Sequence, residues 1–209
     1  MRRGYFVTGT DTDVGKTVVC AALMHALNAH YWKPVQAGLD GETDTQAVQR
    51  LTGLPNERFH PSAYALRAPR SPHESARRDG IVISLDRFEL PAVESPLIVE
   101  GAGGVLVPLN GEALMVDLMQ RLDLPVILVG RTSLGTINHT LLSLEALRAR
   151  RLHIAGVVLN GPANGPNRLA IERYGNVRVL LELPWLDPLH AGSLSTFVGA
   201  HPFPLREVV

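Results

Sequence analysis

The chain has 209 residues, 45% of them hydrophobic and 19% charged, which suits one compact soluble domain. Its 20 Lys and Arg balance 20 Asp and Glu, so no global field draws in nucleic acid or an anionic membrane, and no apolar run reaches membrane-spanning length. The eight His show no pairing with Cys at zinc spacing, and the single Cys20 can form no internal disulfide, as expected in a reducing cytoplasm.

Tyr5-Phe6-Val7 predicts a strand directly after Met-Arg-Arg-Gly, with no apolar region of the kind a signal peptide needs. GTDTDVGKT, Gly9 to Thr17, then forms a glycine-containing loop, and VVCAALMHALNA has the apolar content and length of a helix. This order makes a phosphate cradle. The N–H groups of the loop and those opening the helix converge on one concavity with partial positive charge. Lys16 adds a full charge beside the outer phosphates, and Thr17 stands where such loops offer a hydroxyl to Mg2+. Two features depart from the standard motif. Thr10 takes the first glycine's place, with Gly9 one residue early, and the loop carries Asp11 and Asp13, which would repel a triphosphate. These acids either point away and brace the loop, or one meets a cation, such as an amine-bearing substrate, that the γ-phosphate must reach. Cys20, in the helix, reads as a small core residue.

His30 to Val35, HYWKPV, reads as a short strand in which Pro34 biases Lys33 toward an extended conformation. Thr43 and Gln46 have the spacing of a capping box, which puts Asp44 in a first helical turn, where a carboxylate complements the helix dipole. Pro55 to Leu90 lacks a clear period and is expected as a surface excursion with a short helix over Pro72 to Arg78, its basic residues solvated. Leu97-Ile98-Val99 has the uniform apolarity of a parallel strand buried on both faces, with Glu100 at its carboxyl end and a flexible Gly101-Ala102-Gly103-Gly104 beyond. Ligands bind at the carboxyl ends of strands in open α/β sheets, so Glu100 is the natural second anchor for Mg2+.

Further along, a helix is expected from Glu112 to Leu122, a strand over Val126 to Val129, and a helix from Thr136 to Arg150 with Leu141, Leu144, Ala146 and Leu147 on its apolar face. A strand ending at the turn signal Asn160-Gly161, a helix through Arg168 to Tyr174, the strand VRVLLEL and a small helix near Leu194 to Gly199 complete the chain. The alternation predicts an α/β fold: a single P-loop domain over residues 1–209 with a mostly parallel sheet and helices on both faces.

GTDTDVGKT, KPV, the SPH of Ser71 to His73, VEGAGG, LPVILV, LGTINH and ELPWL occur in this order, and on these segments nearly the whole chain resembles the dethiobiotin synthetase family. The resemblance implies an ATP-dependent ligase of biotin biosynthesis that closes the ureido ring of dethiobiotin from 7,8-diaminopelargonic acid, CO2 and ATP. The implied route is a carbamate on one amine, its phosphorylation by the γ-phosphate, and attack by the second amine, with release of ADP and phosphate. Mg2+ is the implied cofactor, and the implied assembly is a cytoplasmic homodimer with substrate at the subunit interface.

The resemblance also implies residue roles. Lys33 and Lys16 would be catalytic, and Asp13, Val14, Gly15, Lys16, Thr17 and Val18 would wrap the phosphates. Thr17, Asp44 and Glu100 match the Mg2+ and phosphate ligands, with Gly101, Ala102 and Gly103 alongside. Asn160, Gly161, Pro184, Trp185 and Leu186 would border the base. Thr12, Asp13 and Lys33 would meet the substrate, whose carboxylate would reach the helix N-terminus at Gly135, Thr136, Ile137 and Asn138 of the partner subunit. Three positions depart from the family pattern: Asp13 where Glu is frequent, Ala37 in place of a hydroxyl residue, and a short connection at Ala29 to Trp32. None removes a charge that the reaction needs.

Two other readings compete. A P-loop ATPase switch of the partitioning or septum-positioning type usually carries a second lysine early in the loop, where this chain has Asp11 and Asp13. A cobyrinic-acid-type amide ligase shares loop segments such as EGAGG but needs a glutamine-hydrolysing part with a nucleophilic cysteine, for which Cys20 is poorly placed.

Overall fold

The computed structural model describes residues 4–205; residues 1–3, where the sequence suggested a leaderless start, and 206–209 lie outside the described residues. In chain order the elements are β1 (Gly4–Gly9), α1 (Lys16–Leu27), β2 (His30–Trp32), β3 (Val35–Ala37), α2 (Asp44–Thr52), β4 (Phe59–His60), β5 (Tyr64–Leu66), α3 (Pro72–Arg78), β6 (Leu97–Gly104), α4 (Met115–Leu122), β7 (Val126–Arg131), α5 (Thr136–Ala149), β8 (Ile154–Asn160), α6 (Gly165–Gly175), β9 (Val179–Leu183) and α7 (Ala191–Ala200). No helix among the described residues is long and apolar enough to cross a membrane.

β1 is buried along its whole length, and its side chains alternate between two core layers. Tyr5 and Val7 pack with residues of α1, α2 and α7, whereas Phe6 packs with residues of α4, α5 and α6. A strand covered on both faces can only sit inside a sheet, and β1 pairs in parallel with β6 on one edge and β7 on the other. The full seven-stranded order is β4-β2-β6-β1-β7-β8-β9, and every pairing in it is parallel. This is the α/β class that the sequence predicts. The chain leaves β1 through α1 toward β2 on one side and later reaches β7 on the other, so a crevice opens at the carboxyl ends of β1 and β6.

Several elements differ from their expected form. His30 to Val35 is not one strand. Pro34, which has no N–H to give to a ladder, divides it into β2 in the main sheet and β3, which pairs in parallel with β5 in a separate two-stranded sheet. The stretch from Pro55 to Leu90 is more than an excursion. It supplies the edge strand β4, β5 and the expected helix α3, and it buries Tyr64, Leu66, Ile83 and Phe88. β6 runs on through Gly104, so Glu100 lies within the strand and not at its end. α4 begins at Met115, because the Asn110 side chain accepts from Glu112 and Ala113 N–H and holds a turn in front of it. α6 starts earlier than expected, at Gly165, behind an Asn164 cap.

The sheet edge carries two touching imidazoles, His30 Nδ1 and His60 Nε2, 2.9 Å apart. Burial disfavours their charged forms and holds both pKa values below the ordinary 6.5. The folded chain then binds fewer protons than the unfolded one, so stability should fall as pH drops through about 6.5 and level off below the folded-state values. Thermal melts between about pH 7 and pH 5 should show this fall, and His60→Gln should make it shallower.

Candidate active site

The phosphate loop is held open by contacts from outside it. Gly15 has a φ of 95° at the N-cap of α1, and a Cβ there would lie 2.1 Å from Asn160 Nδ2. Only glycine fits, for reasons of both backbone and space. Asn160, at the end of β8, donates to the Val14 carbonyl at 3.2 Å. Asp11 resolves one of the two acids in the loop: its carboxylate accepts from Thr12 N–H at 2.7 Å and from Arg131 of β7 at 2.7 Å, and so braces the loop as one of the two expectations had it. Asp13 stays exposed at positive φ on the rim.

Behind the loop lies a charged cluster. Lys33, 3% exposed, places Nζ 3.0 Å from Asp44 Oδ2, 3.0 Å from Glu100 Oε1 and 3.2 Å from the Gly101 carbonyl, which uses its three donors. Thr17 Oγ1 is 2.8 Å from Asp44 Oδ1 and 3.0 Å from Glu100 Oε1. Lys16 reaches back over the loop to the Asp11 carbonyl at 3.0 Å. Asp44 is carried by a complete capping box, with Thr43 and Gln46 bonded reciprocally as their spacing predicts, and its own N–H donates to Gln36 Oε1 at 3.2 Å.

Charge sets the protonation states. Burial alone would pull the Lys33 pKa down, but Glu100 and Asp44 outweigh it and hold the ammonium above its ordinary value. Burial would raise the Asp44 carboxyl, and Lys33 overcomes this and keeps it below the usual range. Lys16 is lowered, first by burial and then by repulsion from Lys33. An incoming polyanion would attract both ammonium groups and so counter their mutual repulsion, which favours binding there.

Lys16, Thr17, Lys33, Asp44 and Glu100 line one cleft of about 860 Å³, together with Thr12, Asp13, Gly15, Ala102 and Gly103. Beside it, Val14, Asn160, Trp185 and again Asp13 line a hollow of about 350 Å³. Of the other expected base contacts, Leu186 packs into the core and neither it, Pro184 nor Gly161 is among the lining residues. Val18 also turns into the core. Gly135 caps α5 with Gly135 and Asn138 exposed, but this terminus lines neither cavity of its own chain. Sequence reasoning missed Gln36, Asp40, Arg70 and Val107 in the cleft wall. Gln36 follows KPV directly, and Arg70 precedes the SPH segment, so both stood beside motifs already singled out.

Thr17, Asp44 and Glu100 form an oxygen-only donor set converging from α1, α2 and β6. Hard oxygen donors beside a phosphate cradle fit Mg2+, and no group of three or more His, Cys, Asp or Glu among the described residues offers a competing metal centre.

Known proteins share this fold. A family model described as an AAA domain matches residues 3–193. The ParA family ATPase from Chlorobium tepidum TLS shares the fold, with a TM-score of 0.59 over 97% of this chain and 94% of that one, at 14% identity. Loop, cluster and fold thus define a P-loop nucleotide-binding protein. The chain is 54% identical over 200 residues to the ATP-dependent dethiobiotin synthetase of Paramagnetospirillum magneticum, covering 96% of this chain and 95% of the relative. It is 53% identical over 194 residues to that of Rhodopseudomonas palustris strain TIE-1, covering 93% and 92%. The chain belongs to the dethiobiotin synthetase family.

Removing the Lys33 charge leaves Glu100, 1% exposed, with no cation against it. Lys33→Met should destabilise the fold by about 3 kcal/mol, the lower end for a broken buried pair because Asp44 is partly solvated. Urea unfolding checks this, as a lower midpoint at an unchanged slope. Gly15→Ala should raise the dissociation constant for ADP by about tenfold or more, read by calorimetry, since the loop must shift to admit the new Cβ.

Proposed function

We propose that this chain is an ATP-dependent dethiobiotin synthetase, a ligase of biotin biosynthesis that forms the ureido ring from 7,8-diaminopelargonic acid, CO2 and ATP. The observation that carries this reading is the convergence of Lys16 and Lys33 with Thr17, Asp44 and Glu100 in one cleft, in a chain more than half identical to a synthetase of that name over nearly its full length. The partitioning-type switch is not favoured: its solved relative shares only the fold, and Asp11 and Asp13 stand in the loop.

A carbamate oxygen is a poor leaving group, and phosphorylation makes it a good one. Lys16 is placed to neutralise the transferring phosphoryl group, and Lys33 the carbamate. Thr17, Asp44 and Glu100 would hold Mg2+, which shields the phosphate charge. Asp13, on the rim of the cleft, is free to meet a substrate ammonium. The second amine then attacks the carbonyl carbon, expelling phosphate, in an intramolecular step that depends on positioning. Trp185 and Asn160 border the space for the base.

A homodimer in the cytoplasm, with residues 1–209 as one domain, completes this reading. It is supported by the exposed N-terminus of α5 and by the exposed Leu134, Leu142, Leu169 and Tyr174 on or near α5 and α6, an apolar surface available for a second copy. The α5 terminus would then serve the substrate carboxylate of the other subunit.

The test is phosphate release from purified chain with ATP and Mg2+, with and without the diamine plus bicarbonate, and the product identified by mass. Release should require the diamine and yield dethiobiotin, and Lys33→Met should lower kcat by about a hundredfold or more. Phosphate release indifferent to the diamine would sink the assignment.

A further inference from the structure

Tyr31 lies in β2 with no exposed surface, outside the charged cluster, and its hydroxyl donates to Glu100 Oε2 at 2.9 Å. The other oxygen, Oε1, faces Thr17 and Lys33, each at 3.0 Å. The two oxygens of Glu100 therefore live in different surroundings. Oε2 is held from the protein side by Tyr31. Oε1 alone takes the contacts that the cleft makes. A buried phenol needs a partner for its hydroxyl, and a Phe would fill nearly the same space without that demand. The hydroxyl is therefore informative: it donates to the carboxylate that the cation site requires.

Resting on the Mg2+ site proposed above, we infer that Tyr31 is a positioning residue that confines Glu100 to one-oxygen coordination and so favours Mg2+ over Ca2+. Ca2+ accepts bidentate carboxylates in a large, flexible shell of about 6 to 8 oxygens, whereas Mg2+ demands a small octahedral one at about 2.1 Å. With Tyr31 donating to Oε2, the carboxylate would have to strain or give up that bond to turn both oxygens to the cleft. Thr17, Asp44 and Glu100 then offer single oxygens from three separate elements, an arrangement that suits the smaller ion. Second contacts of this kind change metal affinity by about ten- to a hundredfold when removed.

The experiment measures Mn2+ binding to the full chain with ADP by electron paramagnetic resonance, and its displacement by Mg2+ or Ca2+, in the unmutated protein, Tyr31→Phe and Thr17→Val. Tyr31→Phe should lose about tenfold of the Mg2+ preference, with ADP affinity in EDTA unchanged. A folded Tyr31→Phe protein with the unmutated Mg2+ to Ca2+ ratio overturns the inference, even if its Tm falls. Mn2+ binding that responds to Thr17→Val and not to Tyr31→Phe overturns it while leaving the metal site standing. Failure of the unmutated chain to bind Mn2+ with ADP overturns both. Should Tyr31→Phe not fold, a crystal structure of the unmutated chain with Mn2+ and ADP decides: Glu100 bound through Oε1 alone with Tyr31 on Oε2 supports the inference, and Glu100 bound through both oxygens overturns it.

Discussion

Two carboxylates stand together behind the phosphate loop, and Lys33 is the cation that both of them bond. Glu100 is almost fully buried and Asp44 is partly so, and both accept from the same ammonium at 3.0 Å. Without that cation a buried carboxylate would stand uncompensated beside a second one, and the two would repel each other. The pair ties α2 to β6 across the opening of the cleft, and Thr17 links both acids to α1. One electrostatic knot thus joins three elements remote in sequence.

The loop in front is shaped by the opposite half of the sheet. Arg131 at the end of β7 holds Asp11, and Asn160 at the end of β8 supports Val14 while crowding Gly15. An acid that would repel phosphate, Asp11, is thereby turned to structural use, and Lys16 reaches back over the loop to the Asp11 carbonyl. The loop geometry follows from the neighbouring strands as much as from its own glycines. Preorganisation of this kind means that donors need little rearrangement when phosphate arrives.

Ridges and pockets contributed by the middle of the chain could not be read from periodicity. Residues between Pro55 and Leu90 bury Tyr64, Leu66, Ile83 and Phe88 through short strands and turns, whose apolar positions follow no 2 or 3.6 repeat. Pro69 to Pro72 then form a wall of the cleft. Pro34 biases Lys33 toward an extended conformation, yet β2 ends at Trp32 and the chain passes to a second sheet at Val35. That outcome depended on which edge lay nearby to receive Val35 to Ala37, a tertiary circumstance.

By itself, the sequence determined the strand-loop-helix of the phosphate cradle, the capping box that carries Asp44, the buried parallel strand before Glu100 and the alternation that makes an α/β sheet. Each of these is a local pattern, written within a dozen residues by hydrophobic period, glycine and cap chemistry. Only the tertiary structure decided that Lys33 is shared by two acids, that Asp11 braces and Asp13 remains free, and that Tyr31 holds the far oxygen of Glu100. Those contacts join positions 11 to 120 residues apart, most of them more than 60, and their geometry depends on strand order and register, which no local pattern encodes.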